Sequence, residues 1–204
     1  MKPALALSCR QAFMKRFFDF GVALLGIFFL WWLILVAWIM ASIDTRSNGF
    51  FIQARVGKDG RTVRVVKIKT MRPDTNHVTT ITQSGDPRIT RLGRLFRKTK
   101  IDELPQLWNV LLGQMSFVGP RPDVPGYADR LVGEDRAILS LRPGITGPAT
   151  LKYRNEEEIL AAQEDPVRYN DEVIYPDKVK VNLQYIREWS FLGDIRYILQ
   201  TVLG

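Results

Sequence analysis

Residues 20–43 form a run of 24 positions with no charged side chain and no proline. As a helix this run reaches about 36 Å, enough for a bilayer core of about 30 Å. It is also longer than the apolar core of a cleaved secretory signal and carries Trp31, Trp32 and Trp38. The rest of the chain therefore has to be arranged around a membrane-inserted helix. Lysine and arginine stay on the cytoplasmic side of such helices, and here both flanks are basic. Lys2, Arg10, Lys15 and Arg16 precede the run, and Arg46, Arg55, Lys58, Arg61 and Arg64 follow it. Two basic flanks favour a re-entrant segment with both ends on one face. A membrane hairpin needs a helix break, however, and Gly21 and Gly26 lie too early to mark the middle. From the residues alone, crossing and re-entry both stay open.

The net charge of +8 calls for an anionic partner: nucleic acid, an acidic membrane surface or phosphorylated substrates. A single cysteine, Cys9, excludes an internal disulfide, and the single histidine, His77, lies in a polar run at 74–84 that reads as an exposed loop. One Cys and one distant His make no zinc site of the Cys/His kind, and a Ser-His-Asp triad would rest on His77 alone. Any chemistry therefore falls to carboxylates and cations.

After a polar connector, 50–56 and 62–71 read as strands joined around Lys58-Asp59-Gly60, a hairpin turn signal. Period-two alternation puts Lys67 and Lys69 on one face of the second strand, where both ammonium groups can point at one ligand. Ile89, Leu92 and Phe96 recur at helical spacing, and Leu104, Leu107, Trp108 and Leu111 mark an amphipathic helix ending at Gly113. Asp102 is its expected N-cap, with Pro105 at the third helical position, where a missing N–H costs little. A short strand at 114–119 leads to Pro120-Arg121-Pro122, a stiff turn, and a second punctuated loop runs from Arg142-Pro143-Gly144 to Pro148. Residues 156–163 and 179–189 read as helices. The stretch 191–203 fits either a core helix or one lying on a membrane interface.

A carboxylate nucleophile is already ionised at neutral pH and needs no base. An N-cap position would keep Asp102 ionised and would favour an incoming phosphate. Lys67, Lys69, Arg97, Arg121, Arg142 and Arg154 supply cations, several of them on Pro/Gly-rich loops suited to diphosphates. Phosphoryl transfer relies on positioning and on neutralising phosphate oxygens, usually with Mg²⁺ held by carboxylates.

The chain resembles the monotopic phosphoglycosyl transferases, also called bacterial sugar transferases. The likeness rests on Lys15-Arg16-Phe17-Phe18-Asp19, Lys67-Ile68-Lys69-Thr70-Met71, Asp102-Glu103-Leu104-Pro105-Gln106-Leu107-Trp108-Asn109-Val110, residues 115–122, and Arg142-Pro143-Gly144-Ile145-Thr146-Gly147. It implies that Asp102 takes a sugar phosphate from a UDP-sugar, releasing UMP, before polyprenyl phosphate collects it. By the same likeness Glu103 is the dyad partner, serving Mg²⁺ binding with Asp102 or activation of the acceptor. Lys69, Arg97, Arg121, Arg154 and Asn155 become phosphate or nucleotide contacts, joining Lys67 and Arg142 among the cations expected to bind substrate. The implied fold is α+β: an N-terminal membrane-inserted, re-entrant helix in 1–48, and a small, mostly helical catalytic domain in 49–204 with a short β-hairpin and interfacial amphipathic helices. The implied location is the cytoplasmic face of the bacterial inner membrane, in contact with lipid and not with nucleic acid. One departure matters: the family's membrane helix usually carries a Ser-Pro break where this chain has Trp31-Trp32. A non-enzymatic basic module binding anionic lipid or nucleic acid is the rival reading, and it makes Asp102 dispensable. A glycosyltransferase moving the sugar alone is a second, and it would release UDP.

Overall fold

The computed structural model describes residues 6–72 and 86–203, so the expected loop at 74–84, with His77, lies outside the described residues. The apolar run is the centre of a longer helix, α1 (Cys9–Thr45). Ser8 caps it, accepting from the Gln11 backbone N–H while the Gln11 side chain accepts from the Ser8 N–H, a reciprocal capping box. The helix continues through Trp31-Trp32 without interruption.

Its buried positions are Lys15, Asp19, Ala23, Ile34, Ala37, Ala41 and Thr45. Steps of three, four and eleven residues return to one side of a 3.6-residue helix, so these positions form one stripe along nearly its whole length. Small residues let the neighbouring chain approach closely. A Cβ added at Gly26 would meet the Leu107 side chain at 3.2 Å. The other faces of α1 expose Phe17, Phe28, Trp31, Trp32 and Ile43, surface that needs a lipid environment.

Two antiparallel strands, β1 (Phe50–Val56) and β2 (Thr62–Ile68), form the hairpin, with Phe50 opposite Ile68. β2 ends three residues short of its expected limit, because beyond Ile68 the chain follows Gly49 and then makes a single bridge between Met71 and Ile89. α2 (Arg91–Thr99) packs Phe96 with Ala37, Ala41 and Ile68. α3 (Gln106–Leu111) and the hairpin enclose Val110, Met115, Val63 and Val65 against Ala23. β3 (Ser116–Val118) runs parallel to β4 (Gly144–Thr146). The expected Gly-rich loop is thus partly a buried strand: a Cβ at Gly144 would lie 2.2 Å from the Gly119 nitrogen, so its glycine serves close backbone approach. Short helices follow, α4 (Pro148–Lys152), α5 (Glu156–Ala161) and α6 (Pro166–Tyr169), then α7 (Tyr175–Arg187) and α8 (Phe191–Leu203). The whole is α+β and mostly helical.

α8 has both characters expected of it. Asp194 points inward and is buried, whereas Leu192, Val202 and Leu203 are exposed. Asp194 accepts from Lys15 Nζ at 2.6 Å, from the Tyr185 hydroxyl at 2.6 Å and from Trp189 Nε1 at 3.1 Å. Breaking a buried pair leaves an uncompensated charge, which costs about 3–5 kcal/mol. Asp194→Ala should lower the unfolding midpoint sharply in detergent-solubilised protein, while a double replacement, Lys15→Met with Asp194→Leu, should lose less.

Candidate active site

Asp102 and Glu103 sit in a 3₁₀ turn, Ile101–Glu103, entered through Lys100 at φ 58°. The expected N-cap is therefore corrected: α3 begins at Gln106, with Pro105 immediately before it. Leu104 and Pro105 keep helical dihedrals but do not join the α-helix, so Asp102 lies four residues upstream of the first residue of α3. A six-residue helix offers little dipole, and the charges around the pair come from side chains instead.

Glu103 accepts from Lys67 Nζ at 3.2 Å and from Arg121 Nη2 at 2.8 Å, both on Oε1. Burial alone would raise its pKa, but Arg121 and then Lys67 outweigh burial and hold Glu103 well below the usual carboxylate range. Asp102 has the opposite fate. Burial first, then the neighbouring Glu103 charge, push its carboxyl up to about 6, against the pull of Lys67, Lys100 and Arg97. Asp102 is still mostly ionised at neutral pH, but its pKa is raised where an N-cap position would have lowered it. Its Oδ1 is buried without a hydrogen-bond partner. Two adjacent carboxylates are thus driven apart in pKa, one fixed as an anion and one poised near neutrality.

The registration of this site depends on Asn109. Its Oδ1 accepts from the Val66 N–H at 3.1 Å and its Nδ2 donates to the Arg64 carbonyl at 2.7 Å, latching α3 to the edge of β2 and setting Lys67 opposite Glu103. Arg121 is held by its neighbours: Arg55 Nη1 donates to the Pro122 carbonyl, the Val56 N–H to the Asp123 carbonyl, and the Gly144 N–H to the Pro120 carbonyl.

Of the other expected contacts, the structure brings only some to the pair. Arg97 lies close enough to pull on Asp102 while bonding Thr70 and Glu157. Lys69 does not converge with Lys67 on one point, since its Nζ bonds Ser47 at the end of α1. Arg142 donates to the Gly113 carbonyl and, with Arg16 on the Val110 and Leu111 carbonyls, closes the end of α3. Arg154 donates to the Gln200 carbonyl of α8, and Asn155 precedes α5 without a side-chain cap bond. Sequence reasoning missed Asp123, whose carboxyl burial pushes up to about 6 among Lys178, Arg55 and Glu156. Extended alternation after Pro120-Arg121-Pro122 was the available signal, since it aligns positions 121 and 123.

A carboxylate pair among cations, beside a helix that needs lipid, is suited to phosphorylated ligands at a membrane. The chain belongs to the bacterial sugar transferase family, whose model matches residues 10–204. It is 36% identical to the galactosyl transferase CpsE of Streptococcus agalactiae serotype III (strain NEM316), over 92% of this chain and 41% of that protein. It is also 36% identical to a UDP-glucose:undecaprenyl-phosphate glucose-1-phosphate transferase of Xanthomonas campestris pv. campestris, over 89% and 36%. The exopolysaccharide production protein PSS of Rhizobium leguminosarum bv. phaseoli is 33% identical over 94% of both chains. The chain thus spans about two-fifths of the first relatives and nearly all of the last.

Because the folded pKa of Asp102 lies above its ordinary 3.8, ionisation costs the fold stability. The wild type is unpenalised below that ordinary value and loses stability as pH rises through about 6, on the order of 3 kcal/mol in full. Asp102→Asn should therefore unfold at a higher temperature than wild type at pH 8, and the gap should close by pH 4.

Proposed function

We propose that this protein is a phosphoglycosyl transferase, with a catalytic domain in 49–204 carried by a membrane anchor in 1–48. It moves a sugar-1-phosphate from a UDP-sugar to a polyprenyl phosphate. The observation that carries this reading is the buried, unpartnered Asp102 Oδ1 beside a Glu103 clamped by Lys67 and Arg121. The printed names of several relatives, undecaprenyl-phosphate sugar phosphotransferases among them, support the same reaction.

In the first step an Asp102 oxygen attacks the phosphorus that bears the sugar. The acyl–phosphate bond forms, the bridge between the two phosphates breaks, and UMP leaves with the bridging oxygen's electron pair. A phosphate oxygen of the carrier then attacks the same phosphorus, the acyl–phosphate bond breaks, and Asp102 returns as a carboxylate. Neither step requires a proton if both phosphates arrive ionised. Lys67, Arg121 and Arg97 balance charge on the diphosphate oxygens, and Glu103 keeps Lys67 and Arg121 in place. Mg²⁺ fits this donor set in one way. Among the described residues no group of three or more acidic or Cys/His ligands forms a protein cage, but Mg²⁺ commonly takes one or two carboxylates and completes its shell with water and substrate phosphate. Asp102 and Glu103 would hold it, where it would neutralise charge on the donor's diphosphate.

The proposed placement is at the cytoplasmic face of the inner membrane with both ends of α1 on that side, although α1 runs unbroken and so offers no turn for a re-entrant hairpin. Both ends of α1 are held by the same polar body, Lys15 by Asp194 and Ser47 by Lys69, which favours one side of the bilayer for both. Exposed Cys9 and a cysteine placed at Asn48 should then both be labelled by an impermeant maleimide only from the cytoplasmic side. Labelling of Cys9 from outside would mean that the helix crosses.

A panel of UDP-sugars with Mg²⁺ and undecaprenyl phosphate tests the chemistry. UMP should be released, and Asp102→Asn should abolish it. UDP in place of UMP, or full activity in the variant, would overturn the reading. The acid limb of kcat/KM should fall near pH 6, where Asp102 takes up its proton, and Glu103→Gln should move that limb to lower pH by removing the like charge.

A further inference from the structure

A shallow, open trough lies between α4 and α8, apart from the carboxylate pair. Its lining includes Leu151, Ile195, Leu199 and Leu203, together with two guanidinium groups, Arg154 and Arg196, and no carboxylate. Leu199 and Leu203 are exposed in it, as is Arg196. A trough walled by aliphatic side chains and edged by cations matches an amphiphile with a hydrocarbon tail and an anionic head. A nucleotide or sugar has no use for such walls, and a free anion has no use for the length.

Position adds to this. The start of α8 is joined to α1 by the Lys15–Asp194 pair and by Phe18 packed edge-on to Phe191 at 5.2 Å, so the outward apolar residues of α8 extend the lipid-seeking surface of α1. On its other side a chain of contacts leads from the groove toward the site. Arg154 bonds the Gln200 carbonyl of α8 at 2.8 Å, and three residues on, Glu157 pairs with Arg97, whose charge reaches Asp102. Glu156 in the same turn bonds Lys178 and lies within the field of Arg121. The turn at Arg154 and the start of α5 therefore link the groove to the cations around the carboxylates.

We propose that this groove is the docking site of the acceptor lipid. The isoprenoid chain of polyprenyl phosphate lies against Leu151, Ile195, Leu199 and Leu203, and Arg196 and Arg154 receive its phosphate on the way to Asp102. This rests on the phosphoglycosyl transfer reading, and it assigns the two substrates to different parts of the surface.

The test uses the full chain in nanodiscs, with Arg196→Gln and Leu199→Asp compared to wild type. Without acceptor, both variants should release the same single-turnover burst of UMP from the UDP-sugar. With acceptor, the KM for undecaprenyl phosphate should rise about tenfold or more, as loss of a charge-assisted contact implies, with little change in kcat at saturation. An unchanged acceptor KM, or burst and turnover reduced in parallel, would overturn the proposal. Direct labelling separates it from the reaction itself. A diazirine-bearing polyprenyl phosphate should crosslink to the groove and be displaced by undecaprenyl phosphate. Displacement by phosphatidylglycerol at equal concentration would show a bulk-lipid surface and overturn it. Specific labelling without any UMP burst from the wild type would uphold the lipid site while the reaction reading failed.

Discussion

A lysine of the membrane helix buried against an aspartate of the last helix holds this molecule together. Lys15 and Asp194 are 2.6 Å apart in a setting closed by Tyr185 and Trp189. An apolar helix has no hydrophobic reason to prefer protein over lipid, since lipid tails are as apolar as leucine. Polar contacts have to decide where it docks. Lys15, Arg16 and Asp19 supply them at one end, through Asp194, the carbonyls of α3 and the Phe117 N–H. Alanine and glycine along the same stripe then allow the strands and α3 to come close.

Much of this was legible in the sequence. The apolar run, the hairpin with its Lys58–Gly60 turn, and the last helix follow from period and punctuation, because each is a long or well-marked pattern. The start of α3 was misplaced, because Asp-Glu before an apolar run looks like a cap. The left-handed Lys100 instead begins a separate 3₁₀ turn, and no pattern in the sequence announces a non-glycine residue at positive φ. The Pro/Gly-rich loop after Arg142 looked suited to a diphosphate, but its glycines at 144 and 147 let β3 and β4 approach, a contact between segments far apart in the chain.

The candidate site was legible in its residues more than in its electrostatics. Motif likeness singles out Asp102, Glu103, Lys67 and Arg121, and the structure places these four together. It does not do so for Arg142 or Lys69, which serve backbone carbonyls and the end of α1. Charge type alone cannot tell a ligand-facing guanidinium from one that closes a helix, since both need the same donor. The split between a suppressed Glu103 and a raised Asp102 depends on burial and on two partners from distant strands and loops. It exists only in three dimensions.

The Asn109 latch makes strand register a property of the site. A two-stranded hairpin has little to fix its own alignment, and a slip of one residue turns every side chain to the opposite face. Here the amide of Asn109 bonds the backbone at Arg64 and Val66 directly, so the neighbouring helix anchors β2 at one position. A chain aligned one residue out would turn Val63 and Val65 out of the core as well as Lys67 away from Glu103. One register therefore serves both the core and the carboxylates, and a single side-chain amide helps to hold it.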